Sequence, residues 1–341
     1  MAEIDIKTIE DKKEWEEFLI KQEEANFLQS WYWGEFHKRL GKEIERVGFY
    51  ENKKLIGVML SITENAKRGK YLTVPGGPII DWENKKLVKA AFSDIKRFAT
   101  LKKCVFVRIR PQLIESEFSE KVFKDFDYHK SPMHLTADLT TQLDITKSAD
   151  ELLTGMRKTT RYEIRQAEKL GIKIATSKDE LLIKEFYNLQ METAKRQHFV
   201  GFSYQFFSEQ FEVFFEADSA LLFTATLDEK ILAQAFIIFY GSEAVYHYGV
   251  STEEGRRYPG AYLLQWEAIK IAKKRGIKRY NFWGVAPIDN KNHRFHGVSV
   301  FKRGFGGEDV HYLPAQDLII DYPRYIISFA IERARKMVRK V

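Results

Sequence analysis

The chain has 341 residues, 44% of them hydrophobic and 30% charged, which excludes a disordered or fibrous protein. Its length favours two domains, because a single hydrophobic core stops growing at about 250–300 residues. With 55 Lys and Arg against 48 Asp and Glu, the net charge is +7. This charge suits a nucleic acid, a nucleotide-sugar or an anionic membrane surface as partner, and it equally suits an ordinary basic enzyme.

The sequence argues against disulfides, metal sites and membrane spans. Cys104 is the single cysteine, so no internal disulfide can form. His293 and His296 stand three apart without a third ligand nearby, which is weak evidence for a metal site. The N-terminal segment lacks the hydrophobic core of a signal peptide, and no run approaches the ~20 apolar residues of a membrane-spanning helix. We therefore expect a cytoplasmic protein without an integral membrane segment.

The first half of the chain predicts a hairpin, a strand, a helix and a closing strand, in that order. Two apolar runs flank the polar turn Glu51–Lys54 and form the hairpin. The run Lys70–Val74 is the next strand, and apolar residues at helical spacing over 87–101 indicate the helix. The run Cys104–Ile109 closes the unit.

The same order recurs about 175 residues later. The turn Leu227–Lys230 lies between two apolar runs, and Ala244–Tyr248 follows as a strand. A helix over 263–272 ends in basic residues and Gly276, and Arg279–Trp283 is the closing strand. This order resembles the central part of the GNAT acetyltransferase fold. The predicted fold class is therefore α/β (α+β), with two tandem GNAT-like domains.

The predicted domain bounds follow from this repeat. Helical stretches over 149–170 and 178–216 precede the second copy. We place the first GNAT-like domain at 1–145, the second at 146–325, and a basic C-terminal helix at 326–341.

The loop with which GNAT enzymes bind coenzyme A is altered in both copies. Such enzymes hold the pyrophosphate on backbone N–H groups of an R/Q-x-x-G-x-G/A loop at a helix start. The matching loop here is Arg257–Tyr262, in which Tyr262 replaces the last small residue and Pro259 lacks an N–H group. The matching segment of the first copy, Asp81–Lys86, has no glycine. We therefore expect no coenzyme A binding and a different acyl donor.

Six blocks, in family order, resemble the Fem family of non-ribosomal peptidyltransferases, also called FemABX. They are Phe27–Lys38, Tyr71–Pro78, Met156–Arg165, Tyr246–Ser251, Tyr280–Gly284 and Gly297–Gly306. The long coiled-coil arm of the larger members has no counterpart here, so the chain looks like the compact, FemX-like type.

The resemblance implies an aminoacyltransferase of cell-wall cross-bridge synthesis. Its co-substrate would be aminoacyl-tRNA, with no coenzyme A and no metal. The acceptor would be an amine on the stem peptide of a UDP-linked or lipid-linked peptidoglycan precursor. Two alternatives stay open: a coenzyme A-dependent N-acyltransferase of the GNAT class, and a non-catalytic protein that binds RNA or anionic glycans.

The resemblance assigns the catalytic role to Lys302. An amine attacks an aminoacyl ester, and a fixed cation beside the developing oxyanion assists this step. Phe301-Lys302 matches the family's Phe-Lys pair, whose lysine is thought to stabilise the oxyanion, so Phe301 is assigned to the substrate site. We expect Lys302 in a glycine-framed loop, and the alternative is a solvated loop lysine.

Three further assignments concern binding. Tyr246 and Tyr248 match tyrosines of the family's substrate cleft, and strand alternation predicts that they share one sheet face; the alternative is core packing. Lys38 matches a lysine that contacts the precursor's phosphates or uridine, and the alternative is an exposed helix lysine.

A row of arginines and the basic C-terminal helix are candidate contacts with RNA or membrane. Arg157, Arg161 and Arg165 recur every four residues and share a helix face. They could hold tRNA phosphates, although Glu163 and Glu168 could pair with them instead. The C-terminal helix could contact tRNA or an anionic membrane peripherally, with a solvated face as the default.

Two departures from the compact relatives lie in the acceptor-binding region. Arg110 stands where they carry Asp. Phe202 and Phe206 stand where they carry Arg and Tyr. The acceptor is therefore expected to differ in detail.

Overall fold

The computed structural model describes residues 3–196 and 200–339. Short 3₁₀ turns at Phe27–Gln29 and Gly255–Arg257 accompany the regular elements. The elements of the first 130 residues are β1 Asp5–Thr8, α1 Lys12–Leu19, α2 Trp31–Arg39, β2 Ile44–Glu51, β3 Lys54–Ala66, β4 Gly69–Pro75, β5 Ile79–Ile80, α3 Lys85–Leu101, β6 Phe106–Arg110, α4 Glu117–Lys124 and β7 Tyr128–Lys130.

The rest of the chain alternates helices and strands in the same way. Its elements are β8 Leu139–Asp144, α5 Ala149–Gly155, α6 Lys158–Lys169, β9 Lys173–Ser177, α7 Glu180–Arg196, α8 Tyr204–Glu216, β10 Ala220–Leu227, β11 Lys230–Tyr240, β12 Glu243–Ser251, α9 Gly260–Lys274, β13 Arg279–Gly284, α10 His296–Arg303, β14 Glu308–His311, β15 Gln316–Ile319 and α11 Tyr322–Arg339.

One compact unit comprises the described parts of Met1–Leu139, Pro287–Arg294 and Val310–Val341. Its sheet has the order β1-β2-β3-β4-β6-β15-β7, with β5 paired to β3. Strands β2, β3 and β4 are antiparallel, whereas β4 and β6 run parallel. The apolar face of α3, which includes Leu87, Ala91 and Ile95, is buried against apolar side chains of the sheet. In the chain α3 lies between the parallel strands β4 and β6, and it packs on the sheet as such crossover helices usually do.

The second compact unit comprises Thr140–Ala286 and Phe295–Asp309. Its sheet has the order β14-β8-β13-β12-β11-β10-β9. Again two antiparallel pairs precede one parallel pair, β12 with β13. Ile237 lies in the core cluster that α9 helps to form. Its neighbour Phe236 points to the other face, where it stacks on Phe211 of α8 with ring centroids 3.8 Å apart.

The predicted repeat of hairpin, strand, helix and strand is confirmed in both units. Both hairpins turn through two residues with positive φ: Asn52 and Lys53 (50° and 66°) in the first, Asp228 and Glu229 (47° and 64°) in the second. Two left-handed residues in succession give the backbone twist that joins adjacent antiparallel strands.

Each of the two long predicted helical stretches is divided in the structure. The stretch 149–170 breaks at Met156 and Arg157, whose extended backbone separates α5 from α6. The backbone N–H of Arg157 donates instead to the carbonyl of Gly304, at 2.9 Å. The stretch 178–216 is two helices, and the hydroxyl of Ser203 caps the second by accepting from the N–H of Phe206.

The compact units differ from the predicted domain bounds because each sheet includes a strand from outside the predicted range. Strand β8, placed in the domain 1–145, pairs with β13 of the second sheet. Strand β15, placed in the domain 146–325, pairs with both β6 and β7 of the first sheet. The C-terminal helix begins at Tyr322 rather than 326; residues 340 and 341 of its predicted range lie outside the described residues.

A buried ion network holds β15 and α11 in the first unit. Arg108 of β6 donates to both carboxylate oxygens of Asp317, at 2.7 and 2.8 Å, and to Glu332 at 2.8 Å. The hydroxyl of Tyr325 donates to Asp317 at 3.0 Å. Asp317 is fully buried, so removing its charge would leave Arg108 desolvated and only partly paired.

We expect Asp317→Asn to lower the free energy of unfolding by ~3 kcal/mol, because one partner of a buried pair is lost. Urea unfolding followed by fluorescence measures this change. The matched control is Asp125→Asn, which removes a pair with Lys121 that is largely exposed and should change stability by less than ~1 kcal/mol. If both substitutions lowered the free energy of unfolding equally, the stabilising role of the Arg108–Asp317 pair would be contradicted.

Candidate active site

Lys302 lies in the last turn of α10, and the predicted loop position is wrong. Its Nζ donates to the carbonyl of Gly284, the last residue of β13, at 2.8 Å. It also lies 5.6 Å from the ring centroid of Tyr246, within cation–π range. Only 8% of the residue is exposed. The alternative of a solvated loop lysine therefore does not describe this side chain.

Burial lowers the pKa of Lys302 to about 7. A desolvated ammonium is disfavoured relative to the neutral amine, and the contacts with Gly284 and Tyr246 offset only part of this cost. Both forms are therefore populated near neutral pH. Such a group can stabilise negative charge as an ammonium and can exchange a proton during a reaction.

The neighbours of Lys302 fix α10 to the end of β13. Arg303 donates to the carbonyl of Ala286 at 2.6 Å and forms a two-point ion pair with Asp309 at 2.7 and 3.0 Å. The hydroxyl of Ser299 accepts from the N–H of Ala286 at 2.7 Å. Sequence reasoning missed Arg303 and Ser299. The only feature of the sequence that points to these two residues is their closeness to Lys302 along the chain.

Glycines after Lys302 allow the chain at the end of α10 to approach α5 and α6 closely. A Cβ at Gly304 would lie 2.5 Å from the hydroxyl of Thr160, and one at Gly306, which has φ of +88°, would lie 2.6 Å from the carbonyl of Gly155. Any larger residue would force these segments apart. The glycines of the predicted motif therefore serve packing, which in turn fixes the position of Lys302.

Tyr246 and Tyr248 lie on opposite faces of the sheet, so the prediction that they share a face is wrong. Tyr246 is opposite Ile237 and Tyr248 opposite Phe236, which leaves His247 as an extra residue in a β-bulge. Tyr246 packs on the α9 face. Tyr248 packs against Phe236 and α8 on the other face. Only Tyr246 is therefore placed beside Lys302.

His247 and Trp283 lie at irregular positions within β12 and β13. The His247 ring lies 4.1 Å from that of Tyr248 and 5.6 Å from that of Trp283. Burial lowers the pKa of His247 to about 3, so its imidazole is neutral at physiological pH. Trp283 has φ of +63°, a strained conformation for an aromatic residue. Sequence reasoning predicted neither the bulge at His247 nor the positive φ of Trp283.

Phe301 and Tyr262 pack together where a coenzyme A loop would lie. The Phe301 ring meets those of Tyr262 and Phe305 edge-on, at 4.9 and 5.4 Å. Tyr262 also takes a hydrogen bond from Arg157, and burial raises its pKa. Phe301 thus has a packing role, while its assignment to the substrate site stays a prediction.

The three predicted arginines have different environments. Arg161 donates to the carbonyls of Thr154, at 3.0 Å, and Met156, so it stabilises the junction of α5 and α6. Arg157 and Arg165 are exposed. Phosphate binding by the three stays a prediction, and the exposed pair is better suited to it than Arg161.

Lys38 belongs to the first compact unit. It is half exposed in the last turn of α2, and its Nζ lies 3.2 Å from Glu35. Glu35 also pairs with Arg46 at 2.8 Å, and the Arg46 guanidinium lies over the ring of Trp31. Lys38 therefore lies at the rim of a polar and aromatic cluster, and its contact with precursor phosphates stays a prediction.

The two departures from the compact relatives have clear structural roles. Arg110 is fully buried at the end of β6, where it donates to Gln112 at 2.8 Å and lies over the Tyr312 ring. Phe202 is half exposed and stacks on Phe206, with centroids 4.1 Å apart. Neither arrangement identifies an acceptor.

Within residues 3–196 and 200–339, no group of three or more His, Cys, Asp or Glu side chains is placed to hold a metal ion. In the same ranges, no helix has the length and apolar character needed to cross a membrane. The expected absence of a metal cofactor stays a prediction.

The topology of both sheets has counterparts among solved structures. A crystal structure of FemX superposes with a TM-score of 0.85 at 19% identity, covering 95% of this chain and 99% of FemX. A tandem GNAT protein from the clavulanic acid biosynthesis pathway gives 0.59 at 10% identity, covering 93% and 98%. The class is therefore that of tandem GNAT-like proteins, as predicted.

The family follows from the sequence. The model of the FemAB family matches residues 11–133, 126–230 and 226–332, and the chain belongs to this family. "Aminoacyltransferase FemA" of Staphylococcus epidermidis is 22% identical over 411 positions, covering 95% of this chain and 98% of that protein. "Lipid II:glycine glycyltransferase" of the same species is 22% identical over 383 positions, covering 90% and 91%. Both alignments are longer than this chain, so these relatives carry extra residues.

The low pKa of Lys302 predicts how it affects stability. Below about pH 7 the lysine is protonated in both the folded and unfolded chain, and the cost of burying its charge is fully present. Between about 7 and the usual 10.5, only the unfolded chain holds the proton, so this group's contribution to folding stability rises with pH. The slope is at most ~1.4 kcal/mol per pH unit.

Lys302→Met should therefore be more stable than wild type at neutral pH, with an advantage that shrinks as the pH rises towards about 9. Urea unfolding across this range checks the prediction. Lys274→Met, at an exposed position of α9, is the control and should show a constant difference. A constant difference for Lys302→Met as well would show that Lys302 titrates normally.

Proposed function

We propose that the chain transfers an amino acid from aminoacyl-tRNA to an amine on the stem peptide of a peptidoglycan precursor. The predicted enzyme class is confirmed by both curated relatives, whose names are those of an aminoacyltransferase and a glycyltransferase. The observation that supports the role of this site is the buried Lys302 beside Gly284 and Tyr246. The donor and acceptor are part of the proposal.

The reaction replaces an ester by an amide. The neutral amine attacks the ester carbonyl, a C–N bond forms, and the C–O bond to the tRNA ribose breaks. The amine loses a proton and the ribose oxygen gains one, so the step needs no oxidant or external group. Negative charge develops on the carbonyl oxygen, and a preorganised cation lowers that barrier.

Lys302 supplies this cation in the proposal. Among the described residues its Nζ donates to one carbonyl, so two donor positions of the ammonium stay available for an oxyanion. A pKa near 7 also suits transfer of a proton to the departing ribose oxygen. Tyr246 positions the ammonium through its ring face.

The substrates are assigned by their charges. The exposed Arg157 and Arg165 suit tRNA phosphates, and charged tRNA implies a cytoplasmic enzyme. Lys38 suits a precursor phosphate, whether UDP-linked or lipid-linked. One relative is named for lipid II, which supports a lipid-linked acceptor.

Neither alternative function gains support from the site. Tyr262 and Pro259 stand in the loop that would hold coenzyme A, so calorimetry should detect no binding of acetyl-coenzyme A. A non-catalytic binder would not need a desolvated lysine with a lowered pKa.

Lys302→Ala should lower kcat by ~10²–10³-fold, the usual cost of one lost oxyanion donor. Substrate binding should change little, because the neutral ester needs the charge less than the tetrahedral oxyanion does. Lys302→Arg should restore part of the rate, since a planar fork replaces a compact charge. The assay is single-turnover transfer from charged tRNA to a UDP-linked precursor.

The control for this experiment is Lys274→Ala, an exposed lysine of the same unit, which should keep the wild-type rate. Circular dichroism establishes that each variant is folded. A folded Lys302→Ala enzyme with near-wild-type kcat would remove Lys302 from the mechanism.

Lys38→Ala should raise KM for the precursor several-fold and leave kcat unchanged. A contact with a phosphate remote from the reacting ester is made equally in the ground and transition states. Steady-state kinetics with varied precursor measures both constants. Lys13→Ala, an exposed lysine of the same unit, is the control, and an unchanged KM for Lys38→Ala would exclude the contact.

A further inference from the structure

The outer face of α11 is apolar from Ile326 to Ala334, about two and a half turns. Ile326, Ile327 and Ile331 are 49%, 58% and 36% exposed, and Ala330 and Ala334 are exposed beside them. At 3.6 residues per turn these five positions fall on one side of the helix. Exposed apolar residues are ordinary when scattered, but a continuous row on one helix face marks an interaction surface.

The inner face of the same helix is fully used by the first unit. Tyr325, Ser328 and Glu332 are buried. Glu332 binds Arg108, and Arg68 donates to the carbonyl of Ser328 at 3.1 Å. The rotation of the helix is therefore fixed, and the isoleucine row points away from the unit.

Arginines border the apolar row on both sides. Arg333 lies on one edge, next to Ile326, while Arg324 and Arg335 lie on the other. All three are exposed; Arg324 also lies 3.6 Å from Asp321 in an exposed pair, which holds it weakly. The helix's only acidic residue is Glu332, on the inner face.

We propose that this face of α11 docks on the surface of an anionic lipid bilayer. The isoleucines would enter the boundary between headgroups and acyl chains, and the arginines would extend along the apolar row to lipid phosphates. The positive edges complement anionic headgroups, and the net charge of +7 acts in the same direction.

The chemistry of the face disfavours two other occupants. RNA-binding surfaces combine arginines with several aromatic rings that stack on bases, whereas this face has one exposed ring, Tyr322, beside its isoleucines. A second copy packed symmetrically through the same face would bring its arginines near those of the first.

The inference does not depend on the proposed reaction, since it concerns a surface outside the candidate active site. Docking on a bilayer suits a lipid-linked acceptor better than a UDP-linked one. That one step rests on the proposed function.

The test is flotation of the full chain with lipid vesicles in the absence of substrates. Wild-type protein should bind mixed phosphatidylglycerol–phosphatidylcholine vesicles and bind pure phosphatidylcholine vesicles much less. The double variant Ile327→Ser/Ile331→Ser should lower the partition coefficient by about tenfold per isoleucine. Arg333→Gln/Arg335→Gln should lower it by about fivefold per arginine, and added salt should have a similar effect on wild type.

Matched controls lie on α3 of the same unit. Leu101→Ser removes a side chain that is 68% exposed, and Lys86→Gln/Lys89→Gln removes two exposed charges. Both should bind vesicles like wild type. Thermal unfolding should show that every variant is folded, because the substituted residues are exposed.

Three results would overturn the proposal. The first is equal vesicle binding, or none, for wild type and the isoleucine variant. The second is loss of tRNA binding in gel shifts for the arginine variant without loss of vesicle binding, which would assign the face to RNA. The third is a dimer in light scattering that the isoleucine variant dissociates, which would assign it to a second copy.

Discussion

The candidate site depends on keeping one lysine out of water. Burying an ammonium is costly, and a protein that does so must hold the side chain from several directions. Here the carbonyl of Gly284 and the ring of Tyr246 contact Lys302 directly, while the ion pair of Arg303 with Asp309 fixes the helix that carries it. The burial that lowers the free energy of unfolding also lowers the pKa of Lys302 to about 7. A group with a pKa near the working pH is the most effective in proton transfer.

The strands beside this lysine are irregular at the same level of the sheet. The bulge at His247 interrupts β12, and the register of β13 shifts between Asn281 and Gly284, where Trp283 has positive φ. Bulges and strained residues redirect side chains next to active sites. The two tyrosines therefore have different contacts. Tyr246 contacts Lys302, whereas Tyr248 packs against side chains of α8.

The sequence predicted the repeat and the family, but only part of the site. Hairpin turns such as Glu51–Lys54 are local signals, because two left-handed residues between apolar runs define them. The bulge at His247 is not local: one extra residue reverses the face of every side chain after it, and nothing in the alternation of 244–248 marks it. The exchange of β15 into the first sheet depends on long-range pairing with β6. Lys302 was identified by its motif, while its burial depends on contacts that no motif contains.

Polar contacts, rather than hydrophobic burial, determine which face of α11 packs against the first unit. The helix carries apolar side chains on both faces, with Tyr325 and Phe329 inward and Ile327 and Ile331 outward. Burial of apolar surface alone therefore does not strongly favour one rotation of the helix. Glu332 decides the rotation, because its carboxylate is buried against Arg108 at 2.8 Å, with Arg68 3.8 Å away. Turning the helix over would bury isoleucines but leave Arg108 short of a partner, and the loss of a buried charge pair outweighs the gain from two half-exposed side chains. The isoleucine row is thus exposed because the ion network requires it, and a face held outward in this way is available to a partner without any rearrangement of the fold.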